Sequence, residues 1–329
     1  MTPISPLRPA VPDMRRPTRE GVLEASDKIA KILDATPLFP LEFSGATLWC
    51  KAESLQPVGA FKLRGAWHRL SALESHQRAR GVVAFSSGNH AQGIAWAARR
   101  LGIAATIVMP ADAPEKKLAA TRALGAEIRL YDRATESREA IAAEIAESRG
   151  SVLVPSFDDP WVVEGQGSAG IEAEAQMRAR AGGPPELVVV PCGGGGLASG
   201  IALALPEARI VVAEPEGWDD MARSLAAGAI VPVDPSPPPT ACDALQTLEV
   251  SPLTFGLLHG RGARGVAVSE AEVAAAMRHA FAHLRLVLEP GGAVALAAIL
   301  AGKVAPAGRT LVILSGGNVD PAVFGRIWA

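Results

Sequence analysis

The sequence predicts an α/β architecture: open, parallel-rich sheets covered by helices on both faces. Three observations predict it. Short continuous apolar runs recur along the chain, among them residues 82–85 (VVAF), 187–190 (LVVV) and 310–314 (TLVIL). Helical patterns lie between such runs, and several of the runs end in a glycine-rich or polar turn. A strand that is apolar throughout is buried on both faces, which is the habit of parallel sheets. In such folds the ligand sits beyond the carboxyl ends of the strands.

Thr18 opens the first helical pattern, with Val22, Leu23, Ile29, Ile32 and Leu33 as its apolar residues, ending before the Thr36-Pro37 break. Strand 82–85 leads through a polar turn into an alanine-rich helix over 91–100, closed by Gly102. The unit repeats as strand 105–109 with helix 115–124 and Gly125 as its C-cap, strand 127–131 with helix 136–148, and strand 151–154. Farther on come strand 187–190, a glycine loop, helix 197–205 and strand 209–213. Residues 231–239 (VPVDPSPPP) hold too many prolines for regular structure and form a surface loop. Ser269 to Glu272 is a capping box before a helix whose core stripe includes Val273, Met277, Phe281 and Leu284. Strand 310–314 ends abruptly in Ser315-Gly316-Gly317-Asn318.

The chain has 329 residues, 49% of them apolar, enough for two domains or one large one. A net charge of −2 with both signs mixed along the chain gives no reason to expect nucleic acid or a membrane surface as partner. Small molecules are the expected ligands. Residues 1–19 lack the apolar run of a signal peptide, and no apolar run approaches the roughly twenty residues of a membrane span. Cys50, Cys192 and Cys242 are too scattered for a disulfide framework or a metal motif, so a reducing cytoplasm is expected.

Four segments carry chemistry. In KAESLQPVGAFKLRGA (51–66), Lys62 stands between Phe61 and Leu63 after a glycine turn. It is either a surface cation or a nucleophile whose charge an aldehyde consumes as a Schiff base. Ser86-Ser87-Gly88-Asn89-His90 lies between a strand and a helix start, where free N–H groups suit a carboxylate; a plain N-cap is the alternative. Gly193, Gly194, Gly195 and Gly196 can wrap a phosphate. The same stretch fits a dinucleotide loop, with Glu214 placed to bind a ribose and a nicotinamide oxidoreductase as the function. That reading leaves Lys62 and the SSGNH segment unexplained. Ser315 to Asn318 forms a turn or lines a small pocket.

Together these segments resemble the serine/threonine dehydratase branch of the fold-type II pyridoxal-phosphate enzymes, which includes serine racemase and threo-3-hydroxyaspartate dehydratase. The match runs from Thr36 to Asp320. It rests on GAFKLRG (59–65), SSGNH (86–90), FDDP (157–160), GQG (165–167), the tetraglycine loop, EPG (289–291) and SGGN (315–318), in one order. The resemblance implies a tryptophan-synthase-β-like fold, with residues 1–68 and 158–329 as the large cofactor-binding domain and 69–157 as a small domain closing as a lid. It implies pyridoxal 5′-phosphate as cofactor, with Lys62 as its Schiff-base lysine and the base for the Cα proton. Phe61 would lie against the ring and Asn89 would bond its 3′-oxygen. Gly193 to Gly196 and Leu197 would hold the phosphate, with Glu289 also at the cofactor. Ser315 would face the ring nitrogen, leaving a weaker electron sink that favours elimination. Residues 86–90 would hold the substrate carboxylate.

The implied reaction is α,β-elimination from a β-hydroxy amino acid, releasing a 2-oxo acid and ammonia. Ser87 stands where many strict dehydratases have alanine and where serine racemase has its second acid/base, so racemisation is the alternative. Ala60, in place of the commoner serine, also occurs in relatives acting on hydroxyaspartate, and Arg138 falls where a second carboxylate would be met. Glu214 and Asp220, with the Trp218 carbonyl between, resemble a divalent-cation site suited to Mg²⁺ or Ca²⁺; an acidic surface turn is the other reading. Asp243 and Thr247 sit where relatives approach the substrate. A homodimer is what relatives imply. With little chain after Ser315, no added regulatory domain is expected.

Overall fold

In the computed structural model the described residues are 15–86, 88–113 and 115–328. Helix α1 (Arg19–Ile29) is capped by Thr18, whose hydroxyl accepts the Gly21 N–H at 3.0 Å. A hairpin follows, β1 (Leu38–Phe43) and β2 (Ala46–Ala52), joined by Ser44 and Gly45 at φ 50° and 77°. Two successive left-handed residues make the two-residue turn that matches strand twist. The chain continues through α2 (Lys62–Ser71) and α3 (Ser75–Arg80), then alternates β3 (Val82–Phe85), α4 (Asn89–Leu101), β4 (Ala105–Pro110), α5 (Glu115–Ala123), β5 (Glu127–Tyr131), α6 (Arg138–Arg149) and β6 (Val152–Leu153). After α7 (Pro160–Arg180) come β7 (Leu187–Pro191), α8 (Gly196–Ala204), β8 (Arg209–Pro215), α9 (Asp220–Ala227), α10 (Pro252–Gly260), β9 (Arg264–Val268), α11 (Glu270–His279), α12 (Pro290–Leu300), β10 (Thr310–Leu314) and α13 (Pro321–Arg326).

Two sheets result. One is wholly parallel in the order β5-β4-β3-β6, and the other runs β1-β2-β10-β7-β8-β9 with only β1 antiparallel. Helix α12 (PGGAVALAAIL) is buried over all but its last residue, as expected of a helix that is apolar all round, and packs on β10, β7 and β8.

The GQG segment lies inside α7, and its glycines set the spacing of the helices that bear the site. A Cβ on Gly165 would fall 2.5 Å from the Gly65 Cα, and one on Gly167 would fall 2.5 Å from the Gly200 carbonyl oxygen. Helices α2 and α8 therefore meet α7 backbone to backbone. Their N-termini carry Lys62 and the glycine loop.

Two expectations need correcting. Helix α6 begins at Arg138 because Ser137 acts as its N-cap, accepting the Ala140 N–H at 3.2 Å. Phe281 is not a core residue but 41% exposed. Helix α11 ends in a π-helical turn (Ala280–Leu284), whose i→i+5 bonding puts more residues in each turn and breaks the 3.6-residue phase. Phe281 instead meets Phe324 and Trp328 edge to face.

Candidate active site

Lys62 is the first residue of α2, and the turn before it is strapped to the exit of β10. The Phe61 N–H donates to the Ser315 carbonyl at 3.1 Å, the Gly317 N–H to the Gly59 carbonyl at 2.8 Å, and Ala60 bridges Gly316. Gly59 takes φ 73°, a conformation that favours glycine. The Lys62 Nζ donates to the Ser156 carbonyl at 2.9 Å and lies 5.2 Å from the centre of the Phe61 ring. Burial pulls its ammonium pKa down to about 8, against the Glu289 carboxylate, which favours the charge. A cation at a helix N-terminus is further disfavoured by the helix dipole. The result is an amine that loses its proton near neutrality.

Across from Lys62, Ser156 leads into Phe157, whose ring covers the glycine loop. A Cβ on Gly194 would fall 2.2 Å from that ring, and one on Gly195, at φ 85°, would fall 2.7 Å from the Met221 methyl. No side chain caps α8, so its first N–H groups are left for a ligand. A cradle without Cβ atoms at a helix start fits a phosphate.

The SSGNH segment follows β3. The Gly88 N–H donates to the Ser86 hydroxyl at 3.2 Å, and α4 starts without a side-chain cap. Ser87 lies outside the described residues. Asn89, 8% exposed, donates through Nδ2 to Glu289 Oε1 at 2.6 Å. Burial, followed by the Asp243 carboxylate, pushes the Glu289 carboxyl up to about 7, with the Asn89 donor pulling the other way. His90 is buried with Nε2 2.9 Å from the Val154 carbonyl, so that nitrogen carries the proton. Burial, then the Lys62 charge, pushes His90 down to about 3. It is a neutral tie between α4 and the end of β6.

Lys62, Phe61, Asn89, Glu289, Ser315 and the glycine loop are thus joined by short contacts. Arg138 stands apart from that cluster: its Nε donates to Glu139 at 2.7 Å, and its guanidinium lies 5.6 Å from the centre of the Phe85 ring, one residue before Ser86. The Ser156 carbonyl and the Asn318 amide are contacts that sequence patterns did not assign. Asn318 belongs to the SGGN segment, while Ser156 lies just before FDDP and acts through a main-chain carbonyl, which residue type does not reveal.

Glu214 and Asp220 are both fully buried. The Glu214 carboxylate accepts the Met221 N–H at 3.2 Å and the Ala222 N–H at 2.7 Å, so it faces the start of α9. Neither Asp220 oxygen has a hydrogen-bond partner among the described residues. Burial pushes Asp220 up to about 7, and burial with the Asp220 charge pushes Glu214 well above the carboxylate range. Orphaned buried carboxylate oxygens fit a hard cation. Among the described residues no three acidic, histidine or cysteine side chains cluster as a metal site, so such an ion would depend on two carboxylates and a backbone carbonyl.

A lysine at one helix start, joined through Ser156 and Phe157 to an uncapped glycine loop at another, in a two-sheet α/β fold, fits an enzyme with a phosphate-bearing cofactor. The comparisons agree. Residues 29–316 match the family model described as pyridoxal-phosphate dependent enzyme, and the chain belongs to that family. It is 41% identical over 316 residues to an L-threo-3-hydroxyaspartate ammonia-lyase of Pseudomonas, covering 93% of this chain and 97% of the relative. It is 40% identical to a serine racemase of Schizosaccharomyces pombe, covering 92% and 95%. Among solved structures, maize serine racemase superposes with a TM-score of 0.87 at 34% identity, covering 95% and 97%. The fold is fold-type II, pyridoxal phosphate is the cofactor, and the chain is an enzyme of the ammonia-lyase and racemase kind. The dinucleotide reading is overturned by this membership, and the buried Glu214 is not free to meet a ribose. No helix among the described residues is long and apolar enough to cross a membrane.

Proposed function

We propose that the chain is an ammonia-lyase acting on a β-hydroxy amino acid, L-threonine, L-serine or L-threo-3-hydroxyaspartate. The observation that carries this reading is the half-buried Lys62 with its pKa near 8, set among Phe61, the Ser156 carbonyl and Glu289. Bound pyridoxal phosphate would draw electrons from the substrate Cα. The N–H groups at the start of α8 would hold the phosphate, and the start of α4, with Ser86 and Gly88, the substrate carboxylate. Phe61 would pack on the ring and Asn89 would donate to its oxygen. The Ser315 hydroxyl would meet the ring nitrogen without charging it. The freed Lys62 amine would take the α proton as the β-hydroxyl leaves as water; hydrolysis of the product then yields a 2-oxo acid and ammonia.

Racemisation is the second reading. It rests on the sequence alone, in which Ser87 stands where serine racemase has its second acid/base. Arg138, close to the Ser86 loop, would favour a substrate with a second carboxylate.

The test is to supply the three substrates to the cofactor-loaded protein and follow oxo acid, ammonia and enantiomer ratio. Oxo acid from one of them names the substrate; inversion without oxo acid would replace the lyase by the racemase. Ser87→Ala should remove any inversion and spare elimination. We further propose that Glu214, Asp220 and the Trp218 carbonyl bind Mg²⁺ or Ca²⁺, so either ion should raise the wild-type Tm and leave that of Asp220→Asn unchanged.

Residues 69–157 are proposed to close as a lid over the larger unit, 1–68 and 158–329. Support comes from Lys117 of α5, which meets Asp243 across the two sheets at 2.5 Å. Lys117→Glu should raise KM by up to about fivefold, the size of an exposed ion pair. Asp243→Lys added to it should restore KM, and a double variant no better than the single would remove the latch. A homodimer is proposed only from the relatives.

A further inference from the structure

The Ser315–Asn318 turn ends in a residue to which no part of the reaction assigns a role. Asn318 Nδ2 donates to the Val58 carbonyl at 2.7 Å and to Asn89 Oδ1 at 2.8 Å. The Val58 carbonyl can only accept, so the direction of the Asn318 amide is fixed from a main-chain atom whose identity is unambiguous. Turning that amide over would set its oxygen against Val58 and against Asn89 Oδ1.

We propose that Asn318 is a positioning residue that orients the Asn89 amide and so decides that Asn89 offers the cofactor a donor rather than an acceptor. With Oδ1 held by Asn318, Asn89 Nδ2 faces the other way, and one of its hydrogens goes to Glu289 Oε1 at 2.6 Å. The second hydrogen is left for the ring. Glu289 Oε1 lies close against Gly316, where an added Cβ would fall 2.1 Å from it. The relay runs from the turn bearing Lys62, through Asn318 and Asn89, to the residue capping α12. It rests on the reading that Lys62 and Asn89 hold pyridoxal phosphate.

Asn318→Asp keeps the size of the side chain and reverses its polarity. Asn89 should then turn its Nδ2 toward residue 318 and its oxygen toward Glu289 and the ring. The readouts are the dissociation constant for pyridoxal phosphate and the pH midpoint of the protonated Schiff-base band. Losing one donor to a charged oxygen should weaken binding roughly tenfold and raise the midpoint by about one pH unit. Asn318→Asp with Glu289→Gln restores a donor to the turned Asn89 oxygen. That double variant should recover part of the Tm lost in Asn318→Asp while both cofactor readouts stay displaced.

A residue that merely staples the Gly59 turn predicts otherwise. Asn318→Asp with wild-type midpoint and affinity, or a double variant in which stability and both readouts recover together, would overturn the proposal. If Asn318→Asp does not fold, the double variant alone carries the test. Wild-type protein showing no such band with pyridoxal phosphate would overturn the Lys62 reading itself. A wild-type band with an indifferent Asn318 sinks only the positioning role.

Discussion

Lys62→Ala is expected to abolish the Schiff-base absorbance of the cofactor-loaded protein and to lower turnover on the order of 10³-fold or more, since covalent capture and proton removal are both lost. The side chain is not part of the core, so the variant should fold and still bind pyridoxal phosphate through the α8 start. Spectra between about 300 and 500 nm with turnover on one sample decide the matter. Retained absorbance with lost activity would assign the covalent bond to another lysine. The depressed pKa adds a pH dependence. Only the neutral amine attacks an aldehyde, so capture of pyridoxal phosphate by the cofactor-free protein should rise with pH to a midpoint at about 8, well below the ordinary lysine value of 10.5. A midpoint near 10 would mean that Lys62 is solvated before the cofactor arrives.

Arg64→Met should produce the largest loss of stability. Arg64 is 1% exposed and grips the fully buried Glu53 with Nε and Nη2 at 2.7 and 2.8 Å, and Nη2 reaches Glu172 of α7 at 3.0 Å. Lys51 of β2 also pairs with Glu172 and donates to the Thr36 carbonyl at 2.7 Å, while the Thr36 hydroxyl donates to Glu53 at 2.7 Å. The network locks β2 and α7 to the helix that starts with Lys62. Removing one partner leaves a carboxylate buried with less compensation, a loss of about 3–5 kcal/mol.

Denaturant midpoints across pH test the account. Burial alone would raise the Glu53 carboxyl, but Arg64 first, then Lys51 and Thr36, hold it down at about 2, from an ordinary 4.5. A depressed carboxyl contributes stability that is present above its unfolded value and lost as pH falls through the folded one. The Glu53 contribution should therefore disappear between about pH 4.5 and 2, and Arg64→Met should lack most of that slope. Equal slopes in the two proteins would show that Glu53 is not held by Arg64.

Much of the site was legible in the chain because its chemistry is local. Phe61-Lys62 after a glycine, four successive glycines after a strand, and Ser-Gly-Asn at a helix start each state what they can do from residue type alone. Strands such as β3 and β7 were legible for a similar reason: a run buried on both faces is apolar throughout. Helix α7 was not. It carries Gly165, Gly167 and Gly170, which lower helix propensity, and only the contacts with α2 and α8 give those glycines their purpose. Phe281 was misjudged because periodicity cannot foresee a π-helical turn.

The sequence by itself determined the fold class and picked out the candidate lysine and the candidate phosphate cradle, since each depends on residue types adjacent in the chain. Tertiary structure alone decided how those parts act on one another. Glycine contacts along α7 bring the starts of α2 and α8 to one site, and burial lowers the Lys62 pKa. Asn89 finds Glu289, 200 residues away, and Asn318, 229 away. The physical reason is that charge, proton affinity and amide orientation depend on which groups surround an atom and how much water is excluded, quantities that exist only once distant segments have packed.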